Sequence, residues 1–165
     1  MSSNVPVVRS IAWPSVIVQL IIVALLSCAF FLAKISEPFL CGAITYSALA
    51  FALRYTFSKH HRAGMKLVKQ MKFTEAIPHF EKSVDYFTRN SWVDKYRVIV
   101  LFNSGKMSYK EMGLCNLGFC YSQIGNGEMA KKYYTAAITE FPQSGVARVA
   151  LNMLNATQNT SNEIQ

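Results

Sequence analysis

The sequence predicts an all-α protein in two parts, an apolar helical hairpin followed by a set of amphipathic helices. Three observations carry this. Two uncharged, mostly apolar runs stand near the start, residues 10–33 (24 residues) and 38–53 (16 residues). From residue 58 onward apolar residues recur at helical spacing with short breaks. No segment alternates with period two for long enough to argue a strand. A chain of 165 residues has room for one ordinary domain plus a small appendage. The composition shift near residue 57 marks the boundary between them.

The first run, "IAWPSVIVQLIIVALLSCAFFLA", predicts a span over about 11–33, since a bilayer takes about 20 apolar residues. Gln19 is its only strongly polar side chain, and Trp13 stands near its start, where an indole suits the headgroup level. "LLSC" at 25–28 loosely matches a lipobox. The apolar run continues past it through Phe30, Phe31 and Leu32, so a retained helix is expected rather than a cleaved signal. The second run, "PFLCGAITYSALAFALRYTF", predicts a span over about 38–57. It carries Arg54, whose long side chain can snorkel to the interface. Residues 34–38 make the turn between the two, completing a membrane anchor over 1–57.

Beyond the second run come Arg54, Lys59, Arg62, Lys66, Lys69 and Lys72, with no acid until Glu75. The positive-inside rule then puts the C-terminal domain and the N-terminus in the cytoplasm, with the turn outside. Most of the formal charge of +8 is this collar, and Arg54, Lys59, Arg62 and Lys66 are expected to meet anionic lipid. Nucleic-acid binding is not expected, because no aromatic-studded strand or helix-turn-helix accompanies the charge. Cys28 and Cys41 fall in the spans as small apolar residues, and a cytoplasmic domain keeps Cys115 and Cys120 reduced.

The domain over 58–156 divides into helices by its caps and breaks. "KHHRAGMKLVKQMK" reads as one, with no proline to separate it from the second span. "TEAIPHFEKSVDYFTR" has Thr74 at a capping position and Pro78 within about its first turn. "SWVDKYRVIVLF" has Ser91 and Asp94 at capping-box spacing, and "SYKEMGLCNLGFCYSQIG" opens with the box Ser108 and Glu111. "GEMAKKYYTAAITEF" is ended by Pro142. In "GVARVALNMLNA" the apolar face is Val146, Val149, Ala150, Met153 and Leu154. The tail over 157–165 is polar and expected to be disordered.

Leu114, Leu117, Gly118, Tyr121, Ala130, Tyr134, Ala137 and Pro142 fall as L-x2-L-G-x2-Y, then A-x3-Y, then P. This resembles the tetratricopeptide repeat, with Leu for its usual Trp and Tyr for its usual Phe. Gly118 and Ala130 are small enough for two antiparallel helices to approach, and Tyr121 and Tyr134 fill the gaps between neighbours. Residues 125–127 make the turn. Upstream, Gly64, Ala76 and Phe80 reproduce the spacing, with Leu67 for Tyr121 and Ser83 for Ala137. The expected repeats are about 57–90 and 111–144. Gly64 and Gly118 are 54 residues apart, against about 34 in the family. The excess holds an inserted helix over about 92–102, whose Val98, Ile99, Leu101 and Phe102 are expected, with the terminal helix over 144–156, to cover the repeats.

Sites of chemistry are not expected. Cys115 and Cys120, five apart, share no helix face, and no second pair stands at zinc spacing. Gly125-Asn126-Gly127 lacks the Lys-Ser/Thr of a phosphate loop. His60 and His61 diverge as helix neighbours, and no carboxylates pair for acid–base work. No enzyme activity, cofactor or metal is predicted. The resemblance implies instead a partner groove formed by the first helix of each pair. It would be lined by His61, Arg62, Met65 and Lys69 in one repeat and by Cys115, Asn116, Phe119 and Gln123 in the other. His61 and Met65 stand where the Lys and Asn of the family's carboxylate clamp would be, so that clamp is not expected. The chain also resembles small bacterial membrane-anchored proteins of this family, which implies the inner membrane and a scaffold role toward protein partners, with self-association open. The runner-up is an accessory subunit of a larger membrane complex, held through the small residues Gly42, Ala43, Ser47, Ala48, Ala50 and Ala52 of the second run.

Overall fold

A computed structural model describes residues 13–103 and 105–163, with side chains as far as 157. Residues 11 and 12 of the expected first span, and 164 and 165 of the expected tail, lie outside the described residues. Those described are helical, with no strand among them. They divide into two compact units, one of 13–59 with Asn90–Lys106 and the other of His60–Arg89 with 107–163.

In the first unit α1 (Trp13–Leu32) packs against α2 (Pro38–Phe57). Lys34 closes α1 in the left-handed region at φ 58°, and the Ile35 N–H donates to Phe30 O at 3.2 Å, the Schellman arrangement that ends a helix cleanly. The helices meet through small residues. A Cβ on Gly42 would lie 3.0 Å from Ser27 Cα, and Ser27, Gly42 and Ala50 are the buried positions. Large apolar side chains such as Ile17, Leu20, Leu25, Phe31, Phe39 and Phe51 are exposed. Of the described helices only α1 is both long and apolar enough to cross a membrane. The expected second span, α2, is as long, but Arg54 and its Tyr, Ser and Thr residues leave it below that level.

The inserted segment differs from expectation in form and in place. It is two short helices, α5 (Ser91–Lys95) and α6 (Arg97–Val100), broken at Tyr96. Asn90, not Ser91, stands at the N-cap of α5, and its side chain makes no cap bond. Arg97 folds the segment back on itself, its guanidinium donating to Asp94 O at 3.2 Å, Gly105 O at 3.2 Å and Lys106 O at 2.7 Å. The segment clusters in one unit with the hairpin. α6 packs on α1, Arg54 Nε donates to Leu101 O at 2.8 Å, and a second Arg54 nitrogen donates to Phe102 O. Leu101 and Phe102 are buried, and the Phe102 ring stands edge-on to Tyr46 at 4.8 Å. Arg54, expected in the lipid-facing collar, thus holds backbone carbonyls. Lys59 and Lys66 are exposed as expected.

The second unit contains α3 (Lys59–Lys69), α4 (Phe73–Arg89), α7 (Tyr109–Gln123), α8 (Gly127–Glu140) and α9 (Gly145–Glu163). A one-residue break at Ser58 separates α2 from α3. α4 begins one residue before Thr74, so Thr74 lies in the first turn instead of capping it, and Pro78 falls in the second turn. Ser108 caps α7 as expected, accepting from Glu111 N at 3.1 Å. Asn126 caps α8, accepting from Met129 N at 3.0 Å.

Two helix pairs recur in one register. A Cβ on Gly64 would come within 2.8 Å of the Phe80 ring, and one on Gly118 within 2.8 Å of the Tyr134 ring. Ala76 and Ala130 are both fully buried. The turns match as well. Met71 at φ 61° and Gly125 at φ 79° each close a Schellman motif, with Lys72 N donating to Leu67 O at 3.0 Å and Asn126 N to Tyr121 O at 2.9 Å. Each pair of equivalent residues is 54 apart in the chain. The left-handed region costs an ordinary side chain about 1 kcal/mol. Met71→Gly is therefore expected to raise the urea midpoint of the full chain in detergent micelles slightly, by up to about 0.5 kcal/mol of stability after the entropy cost of glycine.

Val68, Ala76, Ile77, Phe80, Leu117 and Cys120 form the core between the pairs. Leu114, Cys115, Ala130, Tyr134 and Ala137 form a second core with Ala147 of α9. The buried face of α9 is Ala147 with the partly buried Val146, Ala150, Leu151 and Leu154, while Val149 and Met153 are exposed, a rotation from the expected face. The helix also runs on to Glu163, into the segment expected to be disordered.

Candidate interaction surface

The eight residues expected to line a groove lie on α3 and α7, and the structure separates them by burial. Met65 and Asn116 meet across the two helices, the Asn116 amide donating to Met65 Sδ at 3.5 Å. Arg62, Lys69 and Gln123 are exposed. Phe119 is half-buried and stands edge-on to Phe73 of α4 at 5.7 Å. Arg62, Lys69, Asn116, Phe119 and Gln123 therefore offer surface, two of them cationic, beside one partly covered ring.

His61 and Cys115 do not belong to that surface. Sequence register puts them on the first helix of each pair, but both side chains turn into the core. The His61 ring stands edge-on to Phe80 at 5.6 Å and to Tyr109 at 5.5 Å, and its Nδ1 has no hydrogen-bond partner. Tyr109 in turn stacks on Phe87 at 4.9 Å. Burial lowers the His61 pKa to about 4, because a desolvated imidazolium loses its hydration without gaining a counter-charge. Cys115 lies 3.9 Å from Ser144 Oγ, and burial pushes its thiol up to about 11. Cys120, in the other core cluster, is likewise raised to about 11 by burial. Both thiols are protonated near neutral pH and are packing groups, not nucleophiles.

The His61 shift has a definite sign in stability. Its folded pKa lies below the unfolded value near 6.5, so between the two the unfolded chain takes up a proton that the folded chain refuses. Stability is full above about pH 6.5 and falls as pH drops toward about 4. Between about pH 7.5 and about pH 5 the loss is expected to be about 2 kcal/mol. Urea midpoints of the full chain at the two pH values check it, and His61→Phe, which suits a slot between two rings, is expected to abolish most of the difference.

The residues expected to pack the repeats differ in burial. Leu117, Gly118, Ala130 and Tyr134 are buried, as are Gly64, Ala76 and Phe80. Tyr121 stacks on Tyr133 at 5.4 Å, and the Tyr133 hydroxyl donates to Glu81 at 3.4 Å, tying α7 and α8 to α4. Pro142 follows the end of α8. Sequence reasoning missed Tyr109, Phe73 and Gly113. The last faces Val84, whose Cγ2 would lie 2.6 Å from an added Cβ, and so sets how closely α7 approaches α4. Their one sequence signal was that Gly113 is a glycine inside a helical pattern with no turn to account for it.

Among the described residues no group of three or more His, Cys, Asp or Glu side chains gathers as a metal ion would require. The His60 and His79 rings approach at 6.5 Å without a third such neighbour. Comparison of the chain with protein-family models, with curated proteins and with solved structures finds no match.

Proposed function

We propose that the chain is a membrane-anchored protein-interaction module, with α1 and α2 as the anchor and the α3–α4 and α7–α8 pairs as two tetratricopeptide-like repeats. The observation that carries this reading is the shared register of the two pairs. A glycine under an aromatic ring, a buried alanine and a left-handed turn residue all recur after 54 residues. Stacked helix pairs of this kind present the first helices side by side as a binding face. Here that face offers Arg62, Lys69, Asn116, Phe119 and Gln123, so a partner segment with acidic groups beside an apolar side chain fits it. The outward apolar residues of α1 and α2 and the basic run after them support an integral anchor with the repeats on the cytoplasmic side, in a bacterial inner membrane, and with contact to anionic lipid.

A photo-crosslinking side chain placed at Lys69 or Gln123 in native membranes is expected to capture a protein, and the same group at the exposed Lys82 of α4 is not. Equal capture at all three positions would contradict a face on α3 and α7. A second reading, an accessory subunit held through the bilayer, is favoured by Ala43, Ser47, Ala48 and Ala52, which stay exposed on α2 while Gly42 and Ala50 are buried.

A further inference from the structure

We infer that residues 90–106 form a re-entrant membrane element that seats its exposed face, Trp92, Tyr96 and Ile99, in the interfacial layer of the bilayer beside the anchor. This rests on the reading of α1 and α2 as membrane-embedded. The partner is the lipid surface itself.

The depth of the segment follows from its contacts with α2. Arg54 is three residues from the end of α2, about 4.5 Å along the axis, and Tyr46 is two turns further in, about 12 Å from Arg54. The Phe102 ring reaches Tyr46 while the carbonyls of Leu101 and Phe102 rest on the Arg54 guanidinium. The segment therefore runs along the flank of α2 instead of resting beyond its end. Non-helical backbone at such depth is tolerated only where protein covers it and satisfies its polar groups. Both conditions hold: Leu101 and Phe102 are buried, and Arg54 serves their carbonyls. Arg97 serves three more, those of Asp94, Gly105 and Lys106, and Gly105 N donates to the Asn103 side chain at 2.9 Å.

The outward face has the composition of the interfacial layer. Trp92, Tyr96 and Ile99 follow one another at spacings of four and three, and all are more than half exposed. Lys95 lies beside Tyr96, its ammonium 5.5 Å from the ring centroid. Aromatic rings with an apolar body and a polar tip, next to a cation, favour the headgroup boundary. Ile99 lies on α6, which packs on α1 of the hairpin.

The chain has two tryptophans, Trp13 at the start of α1 and Trp92 in the insert, which makes the test direct. Full-length protein is reconstituted in phosphatidylcholine–phosphatidylglycerol vesicles, with bromines placed shallow or deep on the acyl chains. Trp13→Phe leaves Trp92 as reporter, and Trp92→Phe leaves Trp13. The expected result is quenching of Trp92 by the shallow bromines and several-fold protection from aqueous acrylamide. Arg54→Gln is expected to abolish both for Trp92 while leaving Trp13 unchanged. Lipid quenching of Trp13 with Trp92 open to acrylamide would overturn the re-entrant element and leave the anchor standing. Absence of lipid quenching at both would overturn the anchor reading as well. Quenching of Trp92 that survives Arg54→Gln would overturn the role of Arg54.

Discussion

Phe80→Ala is expected to lower the stability of the repeat unit by about 4 kcal/mol, the middle of the range for deleting a buried phenylalanine ring. Phe80 is fully buried at the centre of the core formed by α3, α4 and α7. Its ring lies under Gly64 and against His61. Neighbours on three helices hold the space open, so the cavity cannot collapse well and the cost stays near the full value. A domain of this size has about 5–15 kcal/mol in total, so about a quarter to four-fifths of the margin would be gone. With a slope of about 2 kcal/mol per molar, the urea midpoint of the full chain in detergent micelles falls by about 2 M. Hydrogen exchange would show the loss as faster exchange of amides in α3, α4 and α7. A midpoint within about 0.5 M of the unsubstituted chain would mean that Phe80 is not where the core is held.

Gly118→Val is expected to cost about 3 kcal/mol, the upper end for overpacking a filled core. The added Cβ would lie 2.8 Å from the Tyr134 ring, closer than non-bonded carbons approach, and that ring is itself buried and cannot swing aside. Gly64→Val makes the same collision with Phe80 and is expected to cost about the same. Gly118→Ala is a finer probe. Alanine gains about 1 kcal/mol of helix propensity over glycine, and the collision must exceed that gain for a net loss. Shortening the opposing ring should release it, so Tyr134→Leu with Gly118→Ala is expected to be less destabilising than the sum of the two single changes. Strict additivity would mean that the glycine and the ring do not constrain each other.

Much of the repeat unit was legible because its packing residues are of diagnostic size. A glycine or alanine in mid-helix at a fixed distance from an aromatic residue marks a place where two helices approach closely. Gly118 faces the Tyr134 ring, and Ala130 is fully buried. The α3–α4 pair was harder. Its turn residue is Met71, which enters the left-handed region with no sequence signal, whereas Gly125 announces the same turn. Periodicity placed His61 and Cys115 on the first helices, but a side chain's side of a helix depends on what neighbouring helices offer, and Tyr109 and Ser144 draw these two inward. The same limit turned α9, whose small Ala147 faces the core in preference to the larger Val149 and Met153.

The insert shows where pattern reading stops. Val98, Ile99, Leu101 and Phe102 were expected to cover the repeats; Leu101 and Phe102 are buried in the hairpin's unit, and Ile99 is exposed. What the insert covers was set by Arg54, whose hydrogen bonds to two carbonyls have no sequence signature. The same arginine that suggested a snorkelling side chain is the tie that joins residues 101 and 102 to the hairpin.

The proposed function is the holding of a protein partner on the face made by α3 and α7. It is tested most directly by purifying the C-terminally tagged full chain from its native membrane in gentle detergent, beside the double variant Lys69→Glu, Phe119→Glu, and weighing what accompanies each by mass spectrometry. A stoichiometric soluble partner is expected with the unsubstituted chain and is expected to be lost from the variant, while hydrogen exchange of α3, α4, α7 and α8 stays the same. Accompanying membrane subunits that persist in the variant would contradict it and make the chain a component held through its anchor.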